Sequence, residues 1–294
     1  MNHNKSPFSL TYLPLLIRLE CQQTTRLPLF LGSTLHGIMG WTLKKYSPEA
    51  YSYLFENKRM GGGKQDILNP YFIEPQRSKT HFEKGELLNF SFVMVGNALH
   101  YAEAVIDALY QSKTFGLGAQ RTPFILKDIL HGAQFGYVYN EAGLNHLAMI
   151  PENINSLSAH EHSTWCSIHL LTPLRIRRNG KLVEDITFPT MIRNITKRIT
   201  MLTERYGGHI NTELASSSCE LALSVDRTVS ALHLSQMHRF SNRKNESMDW
   251  SGMLGALQFE GELSPFIPWL KAAQVLHIGR NSTFGCGKID LIYL

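Results

Sequence analysis

Two short stretches of this chain are near-copies. Thr114-Phe115-Gly116-Leu117-Gly118 and Thr283-Phe284-Gly285-Cys286-Gly287 differ only where Leu117 stands against Cys286. Each follows a helix-like run and precedes a strand-like run. The same loop in the same context, once per half, points to a duplicated half-chain rather than to a short solenoid period. At 294 residues the chain has room for two ordinary domains.

The segments between the loops support that reading. In the first half, 10–21 reads as an apolar strand. Residues 32–46 follow as a helix, with Leu35, Ile38, Met39 and Thr42 on one face. A glycine run at 61–63 marks a turn before NPYFIEP and a strand over 85–96. Residues 99–112 form a second helix with Ala102, Val105, Ile106 and Leu109 inward. The glycine loop and the strand PFILKDIL complete the half. The second half repeats the order. A strand over 167–176 is followed by a turn at Asn179-Gly180. A helix spans 187–208, with Ile192, Ile195, Ile199 and Leu202 on one face, Pro189 in its first turn and Gly207 as its stop. Strand material around 221–241, a strand over 253–263 and a helix over 264–279 lead to the terminal loop and KIDLIYL. Twice over, this is the βαββαβ pattern. The fold class is therefore α+β, with two tandem ferredoxin-like (RRM-like) domains. They span 1–131 and 166–294, and 132–165 connects them.

Composition narrows the function classes. Hydrophobic residues make up 43% and charged residues 18%, which describes a folded globular protein. No apolar run approaches the roughly 20 residues that span a bilayer, so no membrane partner is expected. MNHNKSPFSL lacks a basic segment followed by an apolar core, so it is not a secretory signal. Four cysteines, Cys21, Cys166, Cys219 and Cys286, show no CxxC spacing. That argues against a zinc site and against a disulfide framework, and a reducing cytoplasm is the expected location. Net charge is +5, which permits nucleic-acid binding without demanding it. The positive charge is concentrated. Arg175, Arg177, Arg178, Lys181, Arg193, Lys197, Arg198 and Arg205 stand against Glu184, Asp185 and Glu204, and Arg239, Arg243 and Lys244 form a second group. A solvated face is the plain alternative for both.

A glycine loop before a strand serves as a tight turn, or lets backbone amides cradle phosphate oxygens. Neither copy is a nucleotide fingerprint. A P-loop opens a helix, and a dinucleotide loop lies after a strand and before a helix. No cofactor is expected.

HIGRNSTFGCGKIDLIYL resembles the C-terminal glycine-rich signature of the RAMP superfamily, the repeat-associated proteins of CRISPR systems. The whole chain is similar to the family of CRISPR repeat-processing endoribonucleases that cut precursor crRNA. GSTLHGIMGWTLKK resembles the family's first helix, and NPYFIEP with FEKGELLNFSFVMVGNAL its central strands. KTFGLGAQR, PLRIRRNGKLV, FPTMIRNITKRITMLTERYGG and GALQFEGELSPFIPWLKAAQVLHIG also fit. The resemblance implies metal-independent RNA cleavage by the substrate's own 2′-hydroxyl, with no metal ligands. A general base removes its proton, the alkoxide attacks phosphorus, and a proton goes to the departing 5′-oxygen. It also implies CRISPR repeat RNA or crRNA as the partner, with retention in an effector complex. The family often carries arginine where His36 stands, so a second reading stays open: a non-catalytic RAMP subunit that binds crRNA within an effector complex.

The resemblance places the catalytic histidine near the first helix, where His36 lies one step off the apolar stripe. Lys44 and Tyr46, farther along, are candidates for holding phosphate or orienting the base. His81, His100 and His277 compete with His36. The pair His160 and His162 reads as a polar linker, because zinc helices need histidines four apart. Phe90 and Phe92 fit either a base-stacking face or the core. Arg177, Arg178, Arg193 and Lys197 are candidates for RNA phosphates. Arg280, Phe284, Gly285, Gly287 and Lys288 are candidates for RNA contact at the terminal loop, with Cys286 facing inward.

Overall fold

The computed structural model describes residues 6–56, 68–76, 79–154, 162–241 and 246–294. The glycine run at 61–63, His160, Arg243 and Lys244 lie outside the described residues. The chain divides into two compact units. One is Thr11–Glu152, and the other joins Asn153–Leu294 to the residues up to Leu10.

In the first unit, β1 (Thr11–Cys21), α1 (Gly32–Tyr46), β2 (Tyr71–Pro75), β3 (Leu87–Val95), α2 (Ala102–Ser112) and β4 (Thr122–His131) follow the expected order. Their sheet runs β2–β3–β1–β4, every pair antiparallel. The first and third strands thus lie side by side at the centre, as a ferredoxin-like unit requires. Alternation along β1 explains the placement of the core. Leu13, Leu15, Ile17 and Leu19 are buried, while Leu16, Arg18 and Glu20 on the opposite face are half-buried. Leu35, Met39 and Leu43 of α1 join the same core; Ile38 is only half-buried. Phe90 and Phe92 point into this core as well, at 2% and 0% exposure. They are not a base-stacking platform. The segment 132–165, expected to connect the halves, is partly structured. Tyr137–Asn140 and Gly143–Leu144 form strands that extend the sheet beyond β4.

The second unit repeats the pattern with β5 (Trp165–Leu174), α3 (Phe188–Tyr206), β6 (Asp226–Ser235), β7 (Gly252–Glu260), α4 (Ile267–Leu276) and β8 (Ile289–Tyr293). The strand order β6–β7–β5–β8 is the same topology again. Thr187 caps α3 by accepting the Thr190 amide, with Pro189 in the first turn, and Gly207 ends it at φ +84°. A further helix over Thr212–Leu221, capped by Asn211, was not expected from the sequence. This unit also draws on the start of the chain. Phe8 and Ser9 pair with Ile210 and His209, and the Phe8 ring lies 4.9 Å from that of Trp269.

The two near-copies do not share a conformation. In the first unit, Thr114–Leu117 is itself a strand, paired antiparallel with β4 so that Thr114 faces Ile125 and Leu117 faces Thr122. Gly118 then turns the chain at φ +72°. In the second unit, Ser282–Phe284 is a single 3-10 turn, and Gly285 and Gly287 both have positive φ, +89° and +75°. Duplication is visible in the topology, while the repeated loop has taken two shapes.

Candidate active site and nucleic-acid surface

His36 lies in the second turn of α1, half-buried at the border between core and solvent. Its ring stands 5.0 Å from the Phe55 ring and 6.1 Å from the Tyr71 ring. Phe55 reaches this position because Gly40, one turn below His36, has no side chain. A Cβ there would come within 3.0 Å of the Phe55 ring. Tyr71 stacks in turn on Phe55 and on the core residue Phe92. An aromatic wall anchored in the core therefore supports one side of the imidazole. Sequence reasoning did not find this wall, because its members come from three separate segments.

The other two candidates on α1 lie farther away. Helix geometry puts Lys44 about 12 Å and Tyr46 about 15 Å beyond His36 along the axis, about 80° to either side of it. Lys44 is exposed, with its ammonium 5.9 Å from the Tyr51 ring. Tyr46 is half-buried, and the Lys45 ammonium lies 4.7 Å over its ring. These residues line one helix; they do not converge on one atom.

The competing histidines separate by burial. His277 is 1% exposed and its Nδ1 lies 3.0 Å from the Cys286 carbonyl, so it braces the terminal loop from inside. His81 is exposed and bonded to Glu83. His100 is exposed at the end of a 3-10 turn, and His162 is exposed near Glu262. A buried histidine outside these candidates, His131, donates through Nε2 to the Ile150 carbonyl while its Nδ1 accepts the Gln134 amide.

The basic residues of the second unit fall into two classes. Arg177 and Arg178 are exposed on the hairpin formed by Arg177–Arg178 and Lys181–Leu182, with Arg177 3.6 Å from the Asp249 carboxylate. Arg193 and Lys197 are exposed one turn apart on α3. Arg175 and Arg198, by contrast, are 3% and 5% exposed. Arg175 donates to the Asp249 and Ser251 carbonyls. Arg198 donates to the Ser282 hydroxyl at 2.8 Å and to the Gly279 carbonyl, and so ties α3 to the terminal loop. Burial lowers its guanidinium pKa to about 10. The sequence did carry a signal for Arg198. It lies at the edge of the stripe formed by Ile195, Ile199 and Leu202, about 100° from exposed Lys197.

The terminal loop is closed by its own hydrogen bonds. The Gly285 amide donates to Ser282, the Cys286 amide to Asn281, and the Gly287 amide to the Pro173 carbonyl. The Gly287 carbonyl accepts the Ile278 amide. These amides are committed inside the protein, so the loop does not present them as a row of free donors. Phe284, half-buried, packs edge-on against Trp250 at 4.6 Å. The Lys288 amide donates to the Thr172 hydroxyl and the exposed Arg280 donates its amide to the Arg175 carbonyl. Cys286 is fully buried, which pushes its thiol pKa up to about 12 and keeps it protonated. Among the described residues, no helix is long and apolar enough to cross a membrane.

Comparison with known proteins agrees with this architecture. Residues 168–289 match the family model of the CRISPR-associated endoribonuclease Cas6, and residues 10–149 match a model described as an N-terminal domain. These matches support a Cas6/RAMP-type family of CRISPR repeat-processing proteins. The activity of that family is RNA cleavage by an endonuclease. No curated protein sequence matches the chain. Among solved structures, a Cas6 product complex is 14% identical over 96% of this chain and all of that one, with a TM-score of 0.66. Thermus thermophilus Cas6 is 13% identical over 96% of this chain and 99% of that one, with a TM-score of 0.58. A partial Cas6-RT-Cas1–Cas2 complex is 14% identical over 98% of this chain, which spans 47% of that chain, with a TM-score of 0.61. At such identities the likeness establishes the fold.

Proposed function

We propose that this chain cuts CRISPR repeat RNA in precursor crRNA without a metal ion, with His36 as the group that takes the 2′-hydroxyl proton. The resulting alkoxide attacks the adjacent phosphorus, the P–O5′ bond breaks, and the departing oxygen takes up a proton. The products are a 2′,3′-cyclic phosphate and a 5′-hydroxyl. The observation that carries the proposal is the position of His36. It is a half-buried imidazole on the first helix, at the border between core and solvent, with the Phe55–Tyr71 wall against it. Imidazole is the side chain whose ordinary proton affinity suits a general base near neutral pH.

Lys44 and Tyr46 then hold RNA farther along the helix rather than at the reacting phosphate, because about 12 and 15 Å of helix separate them from His36. Arg177, Arg178, Arg193 and Lys197 supply exposed positive charge for phosphates. The terminal loop with Arg280, Phe284, Gly285, Gly287 and Lys288 contributes a rigid surface. A similar chain that stands in a Cas6-RT-Cas1–Cas2 complex supports association with other CRISPR proteins, and a Cas6 product complex supports binding of the product.

The test is incubation with the repeat RNA of its own locus in excess EDTA, with both ends mapped. A single cut leaving a 5′-hydroxyl is expected. It should be lost on His36→Ala and on 2′-deoxy substitution at the cut. Tight binding of RNA that stays intact would favour the non-cleaving crRNA-binding subunit. A cut that survives His36→Ala would remove the histidine from the mechanism.

A further inference from the structure

The chain has four tryptophans. Trp250 and Trp269 are 3% and 1% exposed, and Trp165 is half-buried. Trp41 is 59% exposed, in the middle of α1, on the same helix as His36. The Lys45 ammonium lies 5.2 Å from its ring. Lys44 is also exposed nearby, and no acidic residue occurs anywhere in α1. A large apolar ring kept in water beside two ammonium groups suits a flat, electron-rich partner that carries negative charge.

Gly37 adds a second, independent observation. It is exposed in the interior of the helix, where glycine is less favourable than alanine. A Cβ at Gly37 would meet nothing within 4 Å, so packing inside the protein does not explain the glycine. On the helix surface Gly37 falls between His36 and Trp41, about 100° from the first and 40° from the second. Among the described residues nothing lies within 4 Å of a Cβ at Gly37, so the helix surface is bare at that point between the two rings. Trp41 lies about 7.5 Å beyond His36 along the axis and about 140° around the helix from it, so a strand running from the imidazole to the indole must wrap past Gly37.

We propose that Trp41 is a base-stacking subsite for single-stranded RNA. A nucleobase near the cut lies on the indole, its phosphate is neutralised by Lys44 and Lys45, and the backbone leading to it passes over Gly37. This rests on the reading of His36 as the site of cleavage. Stacking on an aromatic face is tolerant of base identity and accounts for a large part of single-strand affinity. The lysines add the salt-dependent part.

The test uses repeat RNA carrying 2′-deoxyribose at the cut, titrated into the wild type, Trp41→Phe, Trp41→Ala and Gly37→Leu. Wild-type indole fluorescence should be quenched on binding, and the quench should vanish in Trp41→Phe. Trp41→Ala should bind about tenfold more weakly with an unchanged salt slope. Gly37→Leu, which strengthens the helix at an exposed position where an added Cβ meets nothing within 4 Å, should fold at least as well as wild type and still bind more weakly. An abasic scan should find one position near the cut where loss of the base and loss of the indole do not add. Equal binding by Trp41→Ala, or a loss no abasic position masks, would overturn the subsite while leaving His36 in place. A Trp41→Ala protein that binds and cuts normally but changes its oligomeric state would assign the ring to a protein interface instead. Wild type that neither binds nor cuts the RNA would remove the reading of function itself.

Discussion

Gly287→Ala should be far more costly than Gly118→Ala, although the two glycines occupy the same place in near-identical pentapeptides. At Gly287 a Cβ would sit 1.8 Å from the Ile278 carbonyl oxygen, well inside the 3.0 Å that real contacts respect. Relief requires the loop to move by about 1 Å or more, which breaks the Gly287 amide bond to Pro173 and the Ile278 amide bond to Gly287. Each bond is worth about 1 kcal/mol net, and left-handed backbone costs an L-residue about 1–2 kcal/mol more. The sum is about 3–4 kcal/mol. At Gly118 the φ is similar, but the added Cβ meets only the end of the Leu27 side chain at 3.0 Å. There the cost is the backbone term alone, about 1–2 kcal/mol. Urea unfolding followed by tryptophan emission can read both variants. Trp165, Trp250 and Trp269 belong to the second unit and Trp41 to the first. Two units can unfold in separate steps, so each variant is scored on its own unit's transition. A Gly287→Ala protein within 1 kcal/mol of wild type, or a Gly118→Ala protein equally damaged, would refute the contrast drawn between the two loops.

Arg198→Met should destabilise the second unit by about 2 kcal/mol, because it strands the Gly279 carbonyl and the Ser282 hydroxyl. A rise in urea midpoint would show instead that relief from burying the cation outweighs those bonds. Asp249 gives a pH signature. Its carboxyl is held below the usual range, first by the Ser251 hydroxyl and amide and then by Arg175 and Arg177. A depressed acid contributes stability above its unfolded pKa and loses it as pH falls through the folded one. Wild type should therefore lose part of its stability below about pH 4, and Asp249→Asn should flatten that acid limb; superimposable profiles would rule the contact out. Asp249 is half exposed, so the effect is small.

The order of strands and helices was legible because apolar periodicity switches cleanly between two and 3.6 along the chain. Face assignment was not. Phe90 and Phe92 alternate correctly for either side of β3, and only pairing with β1 and β2 decides that they turn inward. The helix over Thr212–Leu221 escaped notice because three consecutive serines weaken its stripe. Asn211 before it was the available signal. Charge misled at Arg175 and Arg198, since a basic residue in a basic segment looks solvated until its neighbours are known. The border position of His36 between core and solvent was legible from its place on the helix. The wall behind it was not, since Phe55 and Tyr71 reach it from other segments. The repeated pentapeptide identified the duplication correctly and its own shape only once. Pairing of Thr114–Leu117 with β4 overrode local sequence in the first copy.

The short pairing of Phe8 and Ser9 with His209 and Ile210 has a consequence for the order of synthesis. The strand that lies against Trp269 is made before 11–152, and the residues it pairs with are made after them. At about 5–20 residues per second, the whole of 11–152 leaves the ribosome and has time to fold before that strand finds its place. The second unit is therefore closed by a segment that has waited outside it. A fragment begun at Asn153 would carry every main strand and helix of its sheet and still expose one side of the Trp269 ring.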